Sequence, residues 1–193
     1  MSLQQTFGLH LLFRISLSTS LQNQKTYLYF AYGSDLLTER IHRDTGAIRA
    51  GIGKLKCHRL DFHFYRNLWH GYVATIVQDD NHEVWGALWN ITENDLYNLD
   101  RQEGSDHNMY FRFLVRVERP DNVSVNCLTY QLANSLATYF PLDKLPENRQ
   151  PSKAYLNTII KGAEESGLPS QYQQMLKNIA HNEYDGDVFH NIH

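Results

Sequence analysis

Two short stretches of this 193-residue chain place groups that could do chemistry. The first is Tyr29-Phe30-Ala31-Tyr32-Gly33-Ser34-Asp35-Leu36-Leu37. An aromatic, strand-like run stops at Gly33-Ser34, and a helix-compatible run from Leu36 to Ile41 begins at once. A strand that turns through glycine into a helix leaves several backbone N–H groups unpaired and pointing one way, a ready site for a carboxylate, a phosphate or a developing oxyanion. Gly33 suits a turn that needs positive φ, since it has no Cβ. The second stretch is Asn98-Leu99-Asp100-Arg101-Gln102-Glu103-Gly104, where a carboxylate sits just past a short helix. A glutamate so placed can move protons if its surroundings raise its pKa toward neutrality. Asp100 is a competing carboxylate in the same turn. Taken singly, each stretch also has an ordinary reading, a plain strand-to-helix turn and a solvated helix-end glutamate.

The elements that must position these groups follow from periodicity. Residues 27–32, 55–65, 71–77, 83–91, 109–117 and 123–132 read as strands. The clearest alternation puts Met109, Phe111, Phe113, Val115 and Val117 on one face with Arg112 and Arg116 on the other. About six strands suffice for a strongly curved sheet or small barrel. Helices are fewer. Thr92-Glu93-Asn94-Asp95 resembles a capping box that opens a helix ending near Arg101. Ser152 caps a second helix, closed by Gly167-Leu168-Pro169, and Ser170 opens a third. Mixed in this order, the elements predict an α+β fold. The proline-punctuated connection over residues 133–151 is expected to be either a lid or binding loop, or a plain surface loop.

Composition excludes several classes. A hydrophobic fraction of 42% and an aromatic fraction of 12% belong to a globular chain, and a net charge of −3 leaves no electrostatic footprint for nucleic acid or an anionic membrane. Nothing approaches the roughly 20 apolar residues of a spanning helix. Two cysteines, Cys57 and Cys127, make no disulfide scaffold and point to the cytoplasm. Residues 1–24 contain no acidic residue and carry an apolar patch at residues 9–13. They read as a flexible or mitochondrial-targeting extension, residues 25–185 as the folded domain, and residues 186–193 as a tail. There is no Gly-x-Ser-x-Gly elbow, no His-Glu-x-x-His, no Walker loop and no Cys-x-x-Cys, and the histidines lack metal-ligand spacing. Neither metal nor cofactor is expected.

The Tyr29-to-Ser34 run followed by Leu36-Leu37-Thr38-Glu39-Arg40-Ile41-His42 closely resembles the opening of the γ-glutamylcyclotransferase family. The likeness continues through Trp69-His70-Gly71, Ala74-Thr75-Ile76, Glu83-Val84-Trp85-Gly86, Leu99-Asp100, Gln102-Glu103-Gly104, Met109-Tyr110, Gly162-Ala163, Gly167-Leu168-Pro169 and Tyr172-Gln173. These landmarks run in order over roughly residues 27–185. The resemblance implies a small mixed β-barrel with flanking helices that converts γ-glutamyl amino acids to 5-oxoproline and a free amino acid, without metal or cofactor. It implies Glu103 as general acid and base. Tyr29, Phe30, Ala31, Tyr32, Gly33, Ser34, Asp35 and Leu36 would form the substrate-binding strand and turn, joined by Tyr130 and Tyr155. For these last two tyrosines, packing in the core is the competing expectation. A homodimer is likewise implied by the resemblance alone.

One departure stands out. The family's turn reads Tyr-Gly-Ser-Asn-Leu, and this chain has Asp35 at the fourth position. At about 4 Å, like charges repel by roughly 1 kcal/mol in water and about 4 kcal/mol at an effective dielectric of 20. Asp35 aimed at a substrate carboxylate would therefore weaken binding. Asp35 capping the next helix would do no harm, and that is the expectation. The alternatives are a sibling enzyme acting on glutathione or γ-glutamyl-ε-lysine, and a catalytically impaired relative serving as a binding module.

Overall fold

The computed structural model of the chain describes residues 25–102, 109–133 and 138–186. The extension 1–24, the segment 103–108 that holds Glu103, and the tail from 187 lie outside the described residues. Among the described residues, five strands close a barrel: β1 (Thr26–Ala31), β2 (Ile48–Arg66), β3 (Gly71–Thr92), β4 (Tyr110–Glu118) and β5 (Ser124–Leu132). Their order around the barrel is β1-β3-β2-β4-β5. Neighbours pair antiparallel except where β5 returns to β1, parallel, at Tyr29 and Leu128. The apolar inner faces build one core from Phe30, Phe62, Ile76, Val84, Leu88, Ile91 and Val117 among others, all essentially inaccessible to water. Burying each such side chain contributes about 1.5–3 kcal/mol. No helix among the described residues is long and apolar enough to cross a membrane.

The expected barrel is present, with one strand fewer than the pattern suggests. Residues 71–77 and 83–91 are one continuous strand, β3. The polar stretch between them reads as a break in sequence and is a large bulge in space. Lys56 pairs with Glu83 and His58 with Gln78, so residues 79–82 face the single Cys57 of β2, whose φ is 58°. The Asp79 carboxylate holds the bulge by accepting from the Asn81 N–H at 3.0 Å. β2 also starts earlier than its pattern shows. Gly51 and Gly53 interrupt the alternation there, and glycine weakens any strand signal.

Four helices of four or more residues flank the barrel among the described residues: α1 (Thr38–Ile41), α2 (Glu93–Gln102), α3 (Lys153–Ser166) and α4 (Ser170–Lys177). The caps read from sequence are in place. The Thr92 hydroxyl accepts from the Asp95 N–H at 3.2 Å while the Asp95 carboxylate accepts from the Thr92 N–H at 2.8 Å. The Ser152 hydroxyl accepts from the Tyr155 N–H at 3.1 Å, and Gly167 ends α3 in the left-handed conformation at φ 71°.

The described part of the proline-punctuated connection is pinned to the barrel by a buried charge network. Residues 59–63 of β2 are all buried, so both faces of the strand are covered there. Asp61, 2% exposed, accepts hydrogen bonds from the Arg149 guanidinium of the connection and from Arg59 at 3.2 Å. Arg149 also donates to the Phe62 carbonyl. Burial alone would push the Asp61 carboxyl up. Hydrogen bonds from His63 and Arg149, with the Arg149 charge, outweigh it and hold the group below its ordinary value. A depressed carboxylate contributes stability that is fully present above its unfolded pKa of about 3.9 and is lost as pH falls through the folded value. Asp61→Asn should therefore cost about 3–5 kcal/mol at pH 7, because it strands a buried arginine. Urea denaturation at pH 5 and pH 3 should show the parent protein losing more stability over that interval than the variant. Equal losses would contradict the assignment.

Candidate active site

After Tyr32 the chain does not enter a helix directly. Residues Ser34–Leu36 form a single 3-10 turn, with Leu36 N–H donating to the Gly33 carbonyl and Leu37 N–H to the Ser34 carbonyl, each at 3.1 Å. Leu37 is extended, and only then does the one-turn helix α1 begin. The helix expected from Leu36 is thus split in two. Gly33 has φ −106°, not the positive value expected of it. What its missing Cβ leaves is room: a Cβ there would stand 3.4 Å from the Tyr155 hydroxyl and 3.5 Å from the Ala74 Cβ.

Asp35 caps neither turn; the N-cap positions are Gly33 for the 3-10 turn and Leu37 for α1, and neither makes a side-chain cap. The capping expectation is therefore overturned. The residue is 4% exposed, and its Oδ2 accepts from the Tyr29 hydroxyl at 3.1 Å. The reason is the split itself. With the chain extended at Leu37, the Asp35 side chain lies beside β1 instead of over the first turn of a helix.

A second glycine brings the tyrosine-bearing helix to this turn. A Cβ on Gly162 would lie 2.4 Å from the Leu37 nitrogen and 2.6 Å from the Leu36 carbonyl carbon. Only glycine lets α3 lie this close to the turn's backbone. Tyr155 is seven residues earlier, two turns along the same helix face. Its hydroxyl accepts from the Ala74 N–H at 3.2 Å, and its ring packs on Trp69 with centroids 4.6 Å apart.

These elements surround a cavity of about 910 Å³, ample for a small dipeptide. Of the residues proposed from sequence, Tyr29, Tyr32, Gly33, Ser34, Asp35, Tyr130 and Tyr155 line it. Phe30, Ala31 and Leu36 do not; all three are at most 1% exposed and belong to the core. Alternation explains Phe30, whose side chain points to the opposite face of β1 from Tyr29, whereas Leu36 is covered by the close approach of Gly162 on α3. The Tyr32 hydroxyl donates to the Tyr130 carbonyl at 2.6 Å, and the Tyr130 hydroxyl donates to Asp100 at 2.7 Å. Asp100 also receives Arg112 at 2.6 Å, which leaves it a structural anchor and not a free base. Cys127 supplies no nucleophile, since burial pushes its thiol up to about 12. None of the described residues of the 133–151 connection lines the cavity, and the buried Leu145 and Arg149 give it a structural role that neither the lid nor the plain surface loop anticipates.

The polar part of the cavity lining was not legible as a site in sequence. It carries Arg40, Arg43, Asp44, Asn98, Arg101 and Gln102, with Arg66 nearby. Asp95, Asn98 and Gln102 recur at spacings of three and four on α2, so they share one face. Each ties α2 to α1 or the loop after it. The Asp95 carboxylate accepts from the Gly46 N–H at 2.8 Å. The Asn98 amide donates to the Asp44 carbonyl at 2.8 Å, and Arg40 donates to the Gln102 carbonyl oxygen at 3.1 Å. Burial works to raise the Asp95 pKa, but hydrogen bonds from Gly46 and Thr92 outweigh it and leave the carboxyl below its usual range. The ladder delivers Gln102, the last described residue before Glu103, to the cavity edge. Glu103 itself lies outside the described residues.

The AIG2-like family matches residues 83–176. A mouse protein named γ-glutamylcyclotransferase is 37% identical over 172 residues, covering 86% of each chain. The human protein of that name is 38% identical over 175 residues, covering 88% of this chain and 87% of its own. A solved structure of a γ-glutamyl cyclotransferase superposes with a TM-score of 0.75 at 37% identity, covering 84% of this chain and 93% of that one.

The two devices that shape the cavity are separately testable. Gly162→Ala should cost about 1–3 kcal/mol by overpacking, measured by urea denaturation; an unchanged midpoint would mean that α3 does not rest on the turn. Asp95→Ala should cost about 1–2 kcal/mol through the lost cap and the stranded Gly46 N–H. Amide exchange at Gly46 should then accelerate, and exchange as slow as in the parent protein would refute the ladder.

Proposed function

Because the chain belongs to the γ-glutamylcyclotransferase family, we propose that the cavity closes γ-glutamyl amides into 5-oxoproline and releases the free amino acid, with Glu103 as the proton relay. One observation carries the site assignment: the Tyr32-to-Asp35 turn and Gln102 line the same cavity. Glu103 follows Gln102 directly in the sequence, which supports it as the relay.

The chemistry asks little beyond this. In a γ-glutamyl amide the α-amino nitrogen reaches its own γ-carbonyl carbon and closes a five-membered ring. Holding the folded conformer is worth much of the barrier, since oriented intramolecular attack reaches effective molarities of about 10⁵–10⁸ M. The cavity's tyrosine walls, fixed by the hydrogen bonds of Tyr32, Tyr130 and Tyr155, serve that purpose. Cyclisation moves two protons. The α-nitrogen goes from ammonium to lactam N–H, and the departing nitrogen goes from amide N–H to ammonium. A single carboxylate relays them in turn: it takes a proton as the C–N ring bond forms and returns one as the old C–N bond breaks. Backbone N–H groups of the turn face the carboxylate or the oxyanion of the bound substrate. The arginines Arg40, Arg43, Arg66 and Arg101 bring to the cavity lining the positive charge that suits an amino-acid leaving group with its own carboxylate.

The purified protein should form 5-oxoproline from γ-glutamyl-alanine, assayed beside glutathione and γ-glutamyl-ε-lysine. Glu103→Gln should lower kcat by about 10²–10⁴-fold with the fold intact by circular dichroism. No product from any of the three substrates would overturn the function, and near-normal turnover by the variant would overturn the relay.

A further inference from the structure

The relay and the tyrosine walls leave one charged group of the cavity without a task, the Asp35 carboxylate. It lines the cavity, is 4% exposed, and has one neutral donor, the Tyr29 hydroxyl, on Oδ2. Its Oδ1 is buried and has no hydrogen-bond partner among the described residues. No lysine, arginine or histidine of the described residues forms an ion pair with it. Asp61, the other carboxylate buried to this degree in the barrel wall, is met by two arginines. Buried carboxylates are otherwise paired or fully hydrogen-bonded. Of the cavity arginines, Arg40 is engaged by Gln102 and Asp44, and Arg66 lies against the Met109 sulfur.

A γ-glutamyl head is a zwitterion, with carboxylate and ammonium on one carbon. Resting on the function proposed above, we propose that Asp35 binds the α-ammonium of the γ-glutamyl substrate, so that this turn recognises the nucleophilic nitrogen itself. Backbone N–H groups of the turn meet the head's carboxylate, and the Asp35 side chain meets its ammonium. The Tyr29 hydroxyl holds Oδ2, which sets the plane of the carboxylate. When the ammonium gives one proton to the relay, its remaining N–H groups still donate to Asp35 and the lone pair turns to the γ-carbon. An asparagine at this position would offer the nitrogen a neutral acceptor. An aspartate makes the amino group a strict requirement of binding.

The test compares two ligands that differ only in that group. KM and kcat are measured for γ-glutamyl-L-alanine, and the inhibition constant for N-glutaryl-L-alanine, which lacks the amino group, on the parent protein and on Asp35→Asn. The near-isosteric change should raise KM for γ-glutamyl-L-alanine by about 10- to 100-fold, the range a charge-assisted hydrogen bond supports. The inhibition constant of the glutaryl ligand should stay constant or fall. A rise of both constants by the same factor would show a structural role only and overturn the assignment, as would an unchanged or lower KM. If the parent protein forms no 5-oxoproline and binds neither ligand, the proposed function fails, and this subsite with it. If it turns over normally and the variant keeps the same preference for the amino ligand, only the subsite fails.

Discussion

Three side chains on one face of α2 set the shape of everything chemical in this protein. Asp95, Asn98 and Gln102 bind α2 to α1 and its loop through Gly46, Asp44 and Arg40. α1 in turn follows the 3-10 turn that carries Ser34 and Asp35. The hydrogen bonds are short-range, yet they connect elements fifty to sixty residues apart in sequence. They lock together the two stretches whose chemistry matters. A barrel strand supplies the rigid floor, Gly162 lets α3 press Tyr155 onto the other side, and the cavity is what remains between.

The structure treats its buried carboxylates in two different ways. Asp61 is saturated by arginines and a backbone N–H, so its charge is spent on holding the connection that contains Arg149. Asp95 is satisfied by backbone groups and a hydroxyl. Among the described residues, Asp35 has a tyrosine hydroxyl alone. Since net stability is only a few kcal/mol, an undercompensated buried acceptor persists where a ligand completes it. On the proposed reading, Asp35 in place of the asparagine of the resembled family's turn is a recognition element and not a liability.

Much of this was legible in the residues. The strands β4 and β5, the Thr92–Asp95 box, the Ser152 cap and the Gly167 stop each depend on local physics and were found where the sequence put them, but the faces at the start of β4 were not, since Phe111 is exposed and Tyr110 buried. The turn at Gly33 and the tyrosines Tyr130 and Tyr155 also came together as expected. What escaped depends on contacts across the fold. Residues 79–82 look like a loop because a bulge borrows the same polar residues. Phe30 and Leu36 sit in the right motif and belong to the core, because strand alternation turns Phe30 away from Tyr29 and α3 packs over Leu36 at Gly162. The α2 ladder had a signal, polar residues at three- and four-residue spacing on a helix whose other face is apolar. Its meaning required knowing that α1 lies alongside. The direction of the Asp35 side chain hinged on one extended residue, Leu37, in a run whose composition favours helix.

The account stands on the turn and residue 103 acting on one bound molecule. A crystal structure of Glu103→Gln soaked with γ-glutamyl-alanine tests this directly, because the inactive variant leaves the substrate uncleaved. The glutamyl head should lie on Gly33, Ser34 and Asp35, with its α-nitrogen and the scissile nitrogen within hydrogen-bond reach of residue 103, directly or through one water. A head bound elsewhere, or a residue 103 separated from both nitrogens by more than that, would contradict the account.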